Sequence, residues 1–134
     1  MKGLRVNLGE FQPEYLIVAP SDDVAVVRFT VPRLTEEINL EQLGHELCTL
    51  IEHHDCRKMI VSLTGLEYLT SSGLGKLIAL HRKMHREAGS VVFCDASPTV
   101  ADILHASRLD TYFHCAPDVA SALATVQDPA RPGE

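Results

Sequence analysis

The sequence lacks the long apolar runs that membrane-spanning and secreted proteins need. No stretch approaches the roughly 18 consecutive apolar residues that cross a bilayer. The first residues, Met-Lys-Gly-Leu-Arg-Val-Asn, lack the apolar core of a secretory signal. We therefore expect a cytoplasmic protein that does not act in a membrane.

The chain also lacks an excess of basic residues and any cysteine pair with metal-binding spacing. Its formal net charge is −6, whereas nucleic-acid binding usually needs a basic surface, so we expect no direct contact with nucleic acid. The four cysteines, Cys48, Cys56, Cys94 and Cys115, form no Cys-x-x-Cys pair. We expect them to be reduced and mostly buried thiols.

Motifs for catalysis and cofactor binding are absent as well. The tripeptide Gly73-Leu74-Gly75 lacks both the Walker pattern and a full dinucleotide fingerprint. His81 and His85 have a spacing that can chelate a metal on a helix, but no Glu follows His81, so the metalloprotease pattern is missing. We expect no cofactor, no metal and no enzymatic activity.

What the sequence does contain is the pattern of one α/β domain. Its 134 residues, 46% of them hydrophobic, suffice for a substantial core. Two strands come first, and helices and strands then alternate, so we expect a mixed sheet of four to five strands with helices packed mainly on one face. We assign residues 1–12 to an N-terminal segment, 13–126 to the domain, and 127–134 to a flexible tail.

Periodicity and capping residues predict the individual elements. In the first predicted helix, the polar positions between the apolar ones are expected to face water. Ala88-Gly89 ends the second helix, with the glycine in the left-handed conformation. The predicted strands are residues 15–19, 24–31, 58–63, 91–94 and 112–114, and the predicted helices start after Asn39, at 73–74, after Ser97 and after Asp118.

The first two predicted helices carry opposite charge. Residues 39–54 hold three glutamates and no Lys or Arg, whereas residues 73–88 hold four basic residues and one Glu. Either both are solvated helix faces, or they form two surfaces suited to charged protein partners.

The turn that opens the second helix is rich in hydroxyl groups. Ser71, Ser72 and the backbone N–H groups just after them lie at the positive end of that helix. A phosphate added there gains N–H donors and a favourable dipole. Unmodified hydroxyls that cap the helix are the other interpretation, and spacing alone leaves both open.

Residues 60–75, Ile-Val-Ser-Leu-Thr-Gly-Leu-Glu-Tyr-Leu-Thr-Ser-Ser-Gly-Leu-Gly, resemble the signature of STAS domains, especially anti-sigma factor antagonists. That family shows a strand, an Asp-Leu-Ser-Gly-like loop, and Asp-Ser-Ser-Gly-Leu-Gly opening a helix. The resemblance continues through Ser97-Pro98-Thr99-Val100 and covers most of residues 13–126. It implies a STAS-like fold and a protein-interaction domain in a partner-switching pathway.

The resemblance also implies the site residues. The family's second serine accepts phosphate from a serine kinase that is also the anti-sigma factor. By position this acceptor is Ser72, with Ser71 as the alternate. Thr70 stands where the family usually has Asp, which makes it a third candidate acceptor, and Ser62 stands where Asp or Asn is common. The residues expected to contact the partner are Thr70, Gly73, Leu74 and Lys76.

The implied partner is an anti-sigma factor or serine kinase-like protein. A phosphatase and a second copy of the chain are further candidates. Two alternatives stay open. The first is a STAS scaffold that is not phosphorylated. The second is a transport-associated STAS module that binds a small ligand.

Overall fold

The computed structural model describes residues 11–127, so the predicted segments 1–12 and 127–134 lie almost entirely outside the described residues. Strands and helices alternate after an opening pair of strands, as the sequence predicts. The elements are β1 (Leu16–Ser21), β2 (Val24–Phe29), β3 (Arg33–Leu34), α1 (Leu40–His53), β4 (Lys58–Ser62), β5 (Tyr68–Leu69), α2 (Ser71–Arg86), β6 (Ser90–Cys94), α3 (Pro98–Ala106), α4 (Leu109–Tyr112), β7 (His114–Ala116) and α5 (Val119–Val126).

Five strands form one mixed sheet in the order β1-β2-β4-β6-β7. The strands β1 and β2 form an antiparallel hairpin, and the later neighbours all pair in parallel. Parallel pairing follows from the helices that connect these strands, because a crossover returns the chain to the same end of the sheet. This confirms the predicted mixed sheet of four to five strands.

The two faces of the sheet are covered unequally. Successive side chains of a strand point to opposite faces, so Met59 and Val61 enter the large core while Ile60 enters a smaller one. Helices α1 to α4 contribute apolar residues to the large core, and α5 covers the smaller one through Ala122 and Val126. Packing mainly on one face is therefore confirmed.

Helix α1 contains a buried carboxylate that the sequence pattern did not predict. Its start is as expected, because the Asn39 side chain accepts a hydrogen bond from Gln42 N at 3.0 Å. Glu46, however, is only 6% exposed. Its carboxylate accepts hydrogen bonds from the backbone N–H groups of Glu14 at 2.7 Å and Tyr15 at 3.0 Å. The expectation that all polar positions of this helix face water is therefore wrong at Glu46.

Helix α2 ends in a left-handed turn, but at a different residue from the one predicted. Ala88 has φ +62°, and the N–H groups of Ala88 and Gly89 donate to the carbonyls of His85 and Met84. Gly89 instead allows the backbone to lie close to Arg57 and to the Met84 side chain. A Cβ there would lie 2.6 Å from both Arg57 O and Met84 Sδ.

The acidic and basic helices pack against each other. Lys76 Nζ lies 3.2 Å from Glu41 Oε2, and Lys83 Nζ lies 2.7 Å from Glu52 Oε2. Part of the opposite charge on α1 and α2 is thus paired within the domain. Neither sequence interpretation, solvated faces or partner surfaces, anticipated this pairing.

The predicted edge strand at residues 112–114 is displaced. Residues Leu109–Tyr112 form the short helix α4, and the strand β7 occupies His114–Ala116 in parallel with β6. Phe113 lies between α4 and β7. Its buried ring stacks on Phe93 with centroids 4.4 Å apart.

A second, two-stranded sheet was not predicted. The strands β3 and β5 pair in parallel, with Arg33 opposite Tyr68 and Leu34 opposite Leu69. Two-residue strands show no periodicity, so the sequence carries no signal for them. This pair brings the segment before α1 next to the start of α2.

Candidate functional site

Helix α2 begins at Ser71, earlier than the predicted start, and Thr70 is its N-cap. Thr70 Oγ1 accepts a hydrogen bond from Gly73 N at 3.4 Å, and the Thr70 carbonyl accepts one from Leu74 N at 2.8 Å. The capping role considered for the serine hydroxyls thus belongs to the threonine before them.

Ser71 and Ser72 are therefore the first two residues of the helix, and both are exposed. Backbone N–H groups of a first helical turn have no partner within the helix, and the helix dipole makes this end positive. These N–H groups and the dipole favour an anion on the Ser72 hydroxyl, and the cap at Thr70 would stay in place. The geometry thus suits an accessible hydroxyl that can carry a phosphate.

Two of the residues expected to contact a partner lie below the surface. Gly73 and Leu74 are both buried. A Cβ at position 73 would lie 2.9 Å from Leu34 Cβ and would overlap Leu34 O. The assignment of these two residues to an exposed contact surface is corrected accordingly, because they pack against β3 and the core.

The small β3–β5 sheet holds the start of α2 in place. The Thr70 N–H donates to Leu34 O at 3.1 Å, and Gly73 packs against the same residue. Thr70 is only half-buried, so its side chain still borders the surface. The position of both serines is therefore set by a contact with a distant part of the chain.

An open cleft of about 540 Å³ lies beside Ser72. Its charged groups are the carboxylates of Glu36 and Glu41 and the ammonium group of Lys76, which bonds Glu41. The Lys76 side chain is 25% exposed and its stem lies along Gly44. The full lining is Glu36, Ile38, Asn39, Leu40, Glu41, Ser72, Gly75 and Lys76.

Glu36 is the site residue that sequence reasoning missed. Its Oε2 lies 3.4 Å from Thr70 Oγ1. Hydrogen bonding from the Ser72 side chain, then from its own backbone, lowers the pKa of the Glu36 carboxyl. Glu36 lies in an irregular segment far from Ser72 in sequence, so no spacing rule could have linked the two. Only the β3–β5 pairing brings them together.

Comparison with known proteins now identifies the family. The family model for the STAS domain matches residues 14–122, which is most of the chain. The chain belongs to the STAS domain family. The STAS signature proposed for residues 60–75 lies within this match and forms the end of β4, β5 and the start of α2.

The relatives of this STAS domain include anti-sigma factor antagonists. The anti-sigma F factor antagonist of Paenibacillus polymyxa is 30% identical over 59 residues, which are 44% of this chain and half the length of that relative. A STAS anti-sigma-factor antagonist from Planctomyces limnophilus superposes with a TM-score of 0.74 at 22% identity, covering 84% of this chain and 97% of that one. This STAS domain is thus anti-sigma factor antagonist-like.

A further solved neighbour is the Bacillus cell fate determinant SpoIIAA in its phosphorylated form. It has a TM-score of 0.62 and 21% identity, and the match covers 83% of this chain and 98% of that one. At such identities the two solved structures show the fold alone.

The STAS domain contains a second polar cluster at the end of β4. The buried Ser62 hydroxyl donates to Asp95 Oδ2 at 2.9 Å and lies 3.0 Å from Thr64 Oγ1. Asp95 thus supplies a carboxylate next to Ser62, the position where the resemblance to the family leads us to expect Asp or Asn. Ser62 itself is hydrogen-bonded and buried, so its hydroxyl is not accessible to a partner.

The four thiols of this STAS domain are all free, but they are buried to different degrees. Cys56 and Cys94 are buried, and burial raises the pKa of each to about 12. Cys48 is half-buried and Cys115 is exposed. The expectation of mostly buried thiols is correct for two of them.

His81, considered above as a metal ligand, packs as an aromatic ring. Its centroid lies 4.7 Å from that of Tyr112 and 5.4 Å from that of Phe113. Its Nδ1 is buried with no hydrogen-bond partner. Burial, followed by the nearby His85 and His114, lowers the pKa of His81. No group of three or more potential metal ligands occurs within residues 11–127.

The lowered pKa of His81 predicts an acid-sensitive fold. A histidine whose folded-state pKa lies below its unfolded value of about 6.5 stabilises the fold above that value, and this stability is lost as the pH falls through the folded pKa. We expect His81→Phe to reduce the loss of unfolding free energy between pH 8 and pH 5. Urea unfolding at a series of pH values measures this.

His105→Gln is the matched control for this series. The hydrogen bond with Asp110, followed by the charge of that carboxylate, raises the pKa of His105, so the stabilisation from His105 is present at low pH and is lost as the pH rises. The two variants should change the pH slope in opposite directions. Equal slopes for wild type and His81→Phe would contradict the expectation.

No helix within residues 11–127 combines the length and hydrophobicity that crossing a bilayer requires.

Proposed function

We propose that this STAS domain is a cytoplasmic anti-sigma factor antagonist that binds an anti-sigma factor with serine kinase activity and is released when Ser72 is phosphorylated. The observation that carries the proposal is the exposed Ser72 hydroxyl in the first turn of α2, beside an open cleft. In this role the domain binds partners and catalyses no reaction of its own.

The docking surface in this proposal is the exposed side of the start of α2. Ser71, Ser72 and Gly75 are small and exposed, so a partner backbone can approach closely. Thr70 and Lys76, both half-buried, border this surface, whereas Gly73 and Leu74 support it from below. This differs from the contact set inferred from the sequence by exchanging two buried residues for exposed ones.

Phosphorylation would act on this surface by charge. A phosphate adds about −1.5 to −2 charges at neutral pH, and placing it in a desolvated contact is unfavourable. A loss of about 1.4 kcal/mol lowers affinity tenfold. The domain itself need not refold, because Thr70 keeps capping the helix and the dipole favours an anion there.

Relatives support the same proposal. The Paenibacillus relative is named an anti-sigma F factor antagonist, and the SpoIIAA neighbour was solved in a phosphorylated form. Among the three candidate acceptors, Thr70 is the least suitable, because its hydroxyl caps the helix and is half-buried. Ser71 stays the alternate acceptor. A phosphatase that removes the phosphate would restore binding.

The acceptor can be identified by phosphopeptide mapping. The tagged domain is incubated with ATP and extract of its source cells, then recovered for mass spectrometry. We expect one phosphate on the wild type and on Ser71→Ala, and none on Ser72→Ala. A phosphate that persists in Ser72→Ala would overturn the choice of acceptor.

Binding is tested with the kinase recovered in that experiment, purified and titrated by calorimetry. We expect Ser72→Ala to bind like the wild type and Ser72→Asp to bind at least tenfold more weakly. Ser71→Asp is the matched control for charge at the next position. Equal affinity for Ser72→Asp and Ser72→Ala would support the scaffold alternative instead.

A further inference from the structure

We propose that Glu36 senses a phosphate on Ser72 and transmits it to the segment of residues 35–39 at the edge of the cleft. This inference rests on the proposed function and specifies how the modified site is read out. It assigns a regulatory role to a residue outside the STAS signature.

The contacts place Glu36 in the position that such a role requires. Its carboxylate lies 3.4 Å from the Thr70 hydroxyl and lines the same cleft as Ser72. Hydrogen bonding from the Ser72 hydroxyl is the largest effect that lowers the pKa of Glu36, so the carboxylate is ionised at neutral pH. In the unmodified protein the Glu36 carboxylate thus faces the neutral hydroxyl of Thr70 and shares its cleft with the neutral hydroxyl of Ser72.

Phosphorylation reverses this interaction. The phosphoryl group replaces the hydroxyl donor with oxygens that carry negative charge, so the Glu36 carboxylate loses a donor and gains a repulsive neighbour. The cleft also contains the carboxylate of Glu41. The ammonium group in the cleft belongs to Lys76, which already pairs with Glu41. Lys76 follows Ser72 by one helical turn, so it can turn toward the phosphate, whereas Glu36 can only move away.

The segment that carries Glu36 is able to respond. It is short and irregular, and its bonds include Glu37 N to Thr35 Oγ1 at 3.1 Å and Asn39 N to the Tyr15 hydroxyl at 3.2 Å. Thr35 is 8% exposed and anchors one end, while Asn39 is the N-cap of α1 at the other. Displacing Glu36 therefore alters the edge of the cleft while both flanking elements stay in place.

The test compares backbone amide chemical shifts with and without phosphoserine encoded genetically at position 72. We expect the phosphate to shift the amides of residues 35–39 in the wild-type background. Glu36→Gln keeps the shape of the side chain but removes its charge. In this variant the phosphate should shift these amides by half as much as in the wild type, or less. Glu37→Gln, the neighbouring exposed glutamate, is the matched control and should retain the full effect.

Shifts of equal size with and without the Glu36 carboxylate would overturn the inference, as would the absence of any shift in the wild type. The measurement needs neither kinase nor partner. A failure of the proposed function would appear instead as a missing phosphate on Ser72 in extract, or as unchanged partner affinity. The two failures are therefore distinguishable.

Discussion

Replacing Gly73 with alanine should lower the free energy of unfolding by about 3 kcal/mol, at the upper end of the range for overpacked sites. The added Cβ would lie 2.9 Å from Leu34 Cβ and would overlap the Leu34 carbonyl oxygen. A backbone atom in a paired strand cannot swing aside as a flexible side chain can, so α2 and β3 must separate. Urea unfolding monitored by circular dichroism measures the loss.

Gly75→Ala is the matched control, two residues further along the same helix. A Cβ at position 75 meets nothing within 4 Å. Alanine is favoured over glycine in a helix interior by about 0.5–1 kcal/mol, so this variant should be slightly more stable than the wild type. Equal stability of Gly73→Ala and Gly75→Ala would show that the contact with Leu34 does not constrain the helix.

Replacing Glu46 with alanine should cost about 2–3 kcal/mol of unfolding free energy. The carboxylate accepts hydrogen bonds from the N–H groups of Glu14 and Tyr15, and Tyr15 is buried. Leaving a buried donor without its acceptor costs about 1–3 kcal/mol. Hydrogen exchange should also show earlier opening at the start of β1, because Glu46 ties that segment to α1.

The controls for Glu46 compare partial with complete loss of its acceptor oxygens, and a buried with an exposed carboxylate. Glu46→Gln keeps one acceptor oxygen, so we expect roughly half the loss seen for alanine. Glu41→Ala removes another carboxylate of the same helix. The Glu41 side chain is 91% exposed and pairs with Lys76. Exposed ion pairs contribute about 1 kcal/mol or less. A loss for Glu41→Ala equal to that for Glu46→Ala would contradict the role of burial.

The contact between Gly73 and Leu34 also bears on the proposed switch. It sets the distance between α2 and the segment that carries Glu36, since β3 precedes that segment directly. A variant that opens this contact should lower the free energy of unfolding. It should also reduce the response of residues 35–39 to a phosphate on Ser72. The site therefore depends on packing that lies beneath it.

Elements with long apolar periodicity were predicted well from the sequence. The start of α1 at Asn39, the Ser97-Pro98 start of α3 and the Asp118 cap of α5 all agree with the structure. Each of these starts combines a local capping residue with apolar residues at helical spacing. Residues adjacent in the chain were therefore sufficient to predict where these three helices begin.

Predictions failed where the deciding contact is distant in sequence. Thr70 rather than a serine caps α2, because β3 fixes Thr70 through Leu34 O. Ala88 rather than Gly89 takes the left-handed conformation, and Gly89 lies where a Cβ would come within 2.6 Å of Arg57 O. Glu46 looks like any surface glutamate in the helical pattern until β1 covers it.

The sequence by itself determined the mixed α/β architecture, the STAS signature and the hydroxyl-rich start of α2, because these depend on periodicity and on residues adjacent in the chain. Only the tertiary structure decided which of these residues are exposed, and which carboxylate stands beside Ser72. Those features depend on the two-residue strands β3 and β5, whose pairing leaves no periodic trace. The placement of Glu36 next to Ser72 is the outcome of that pairing.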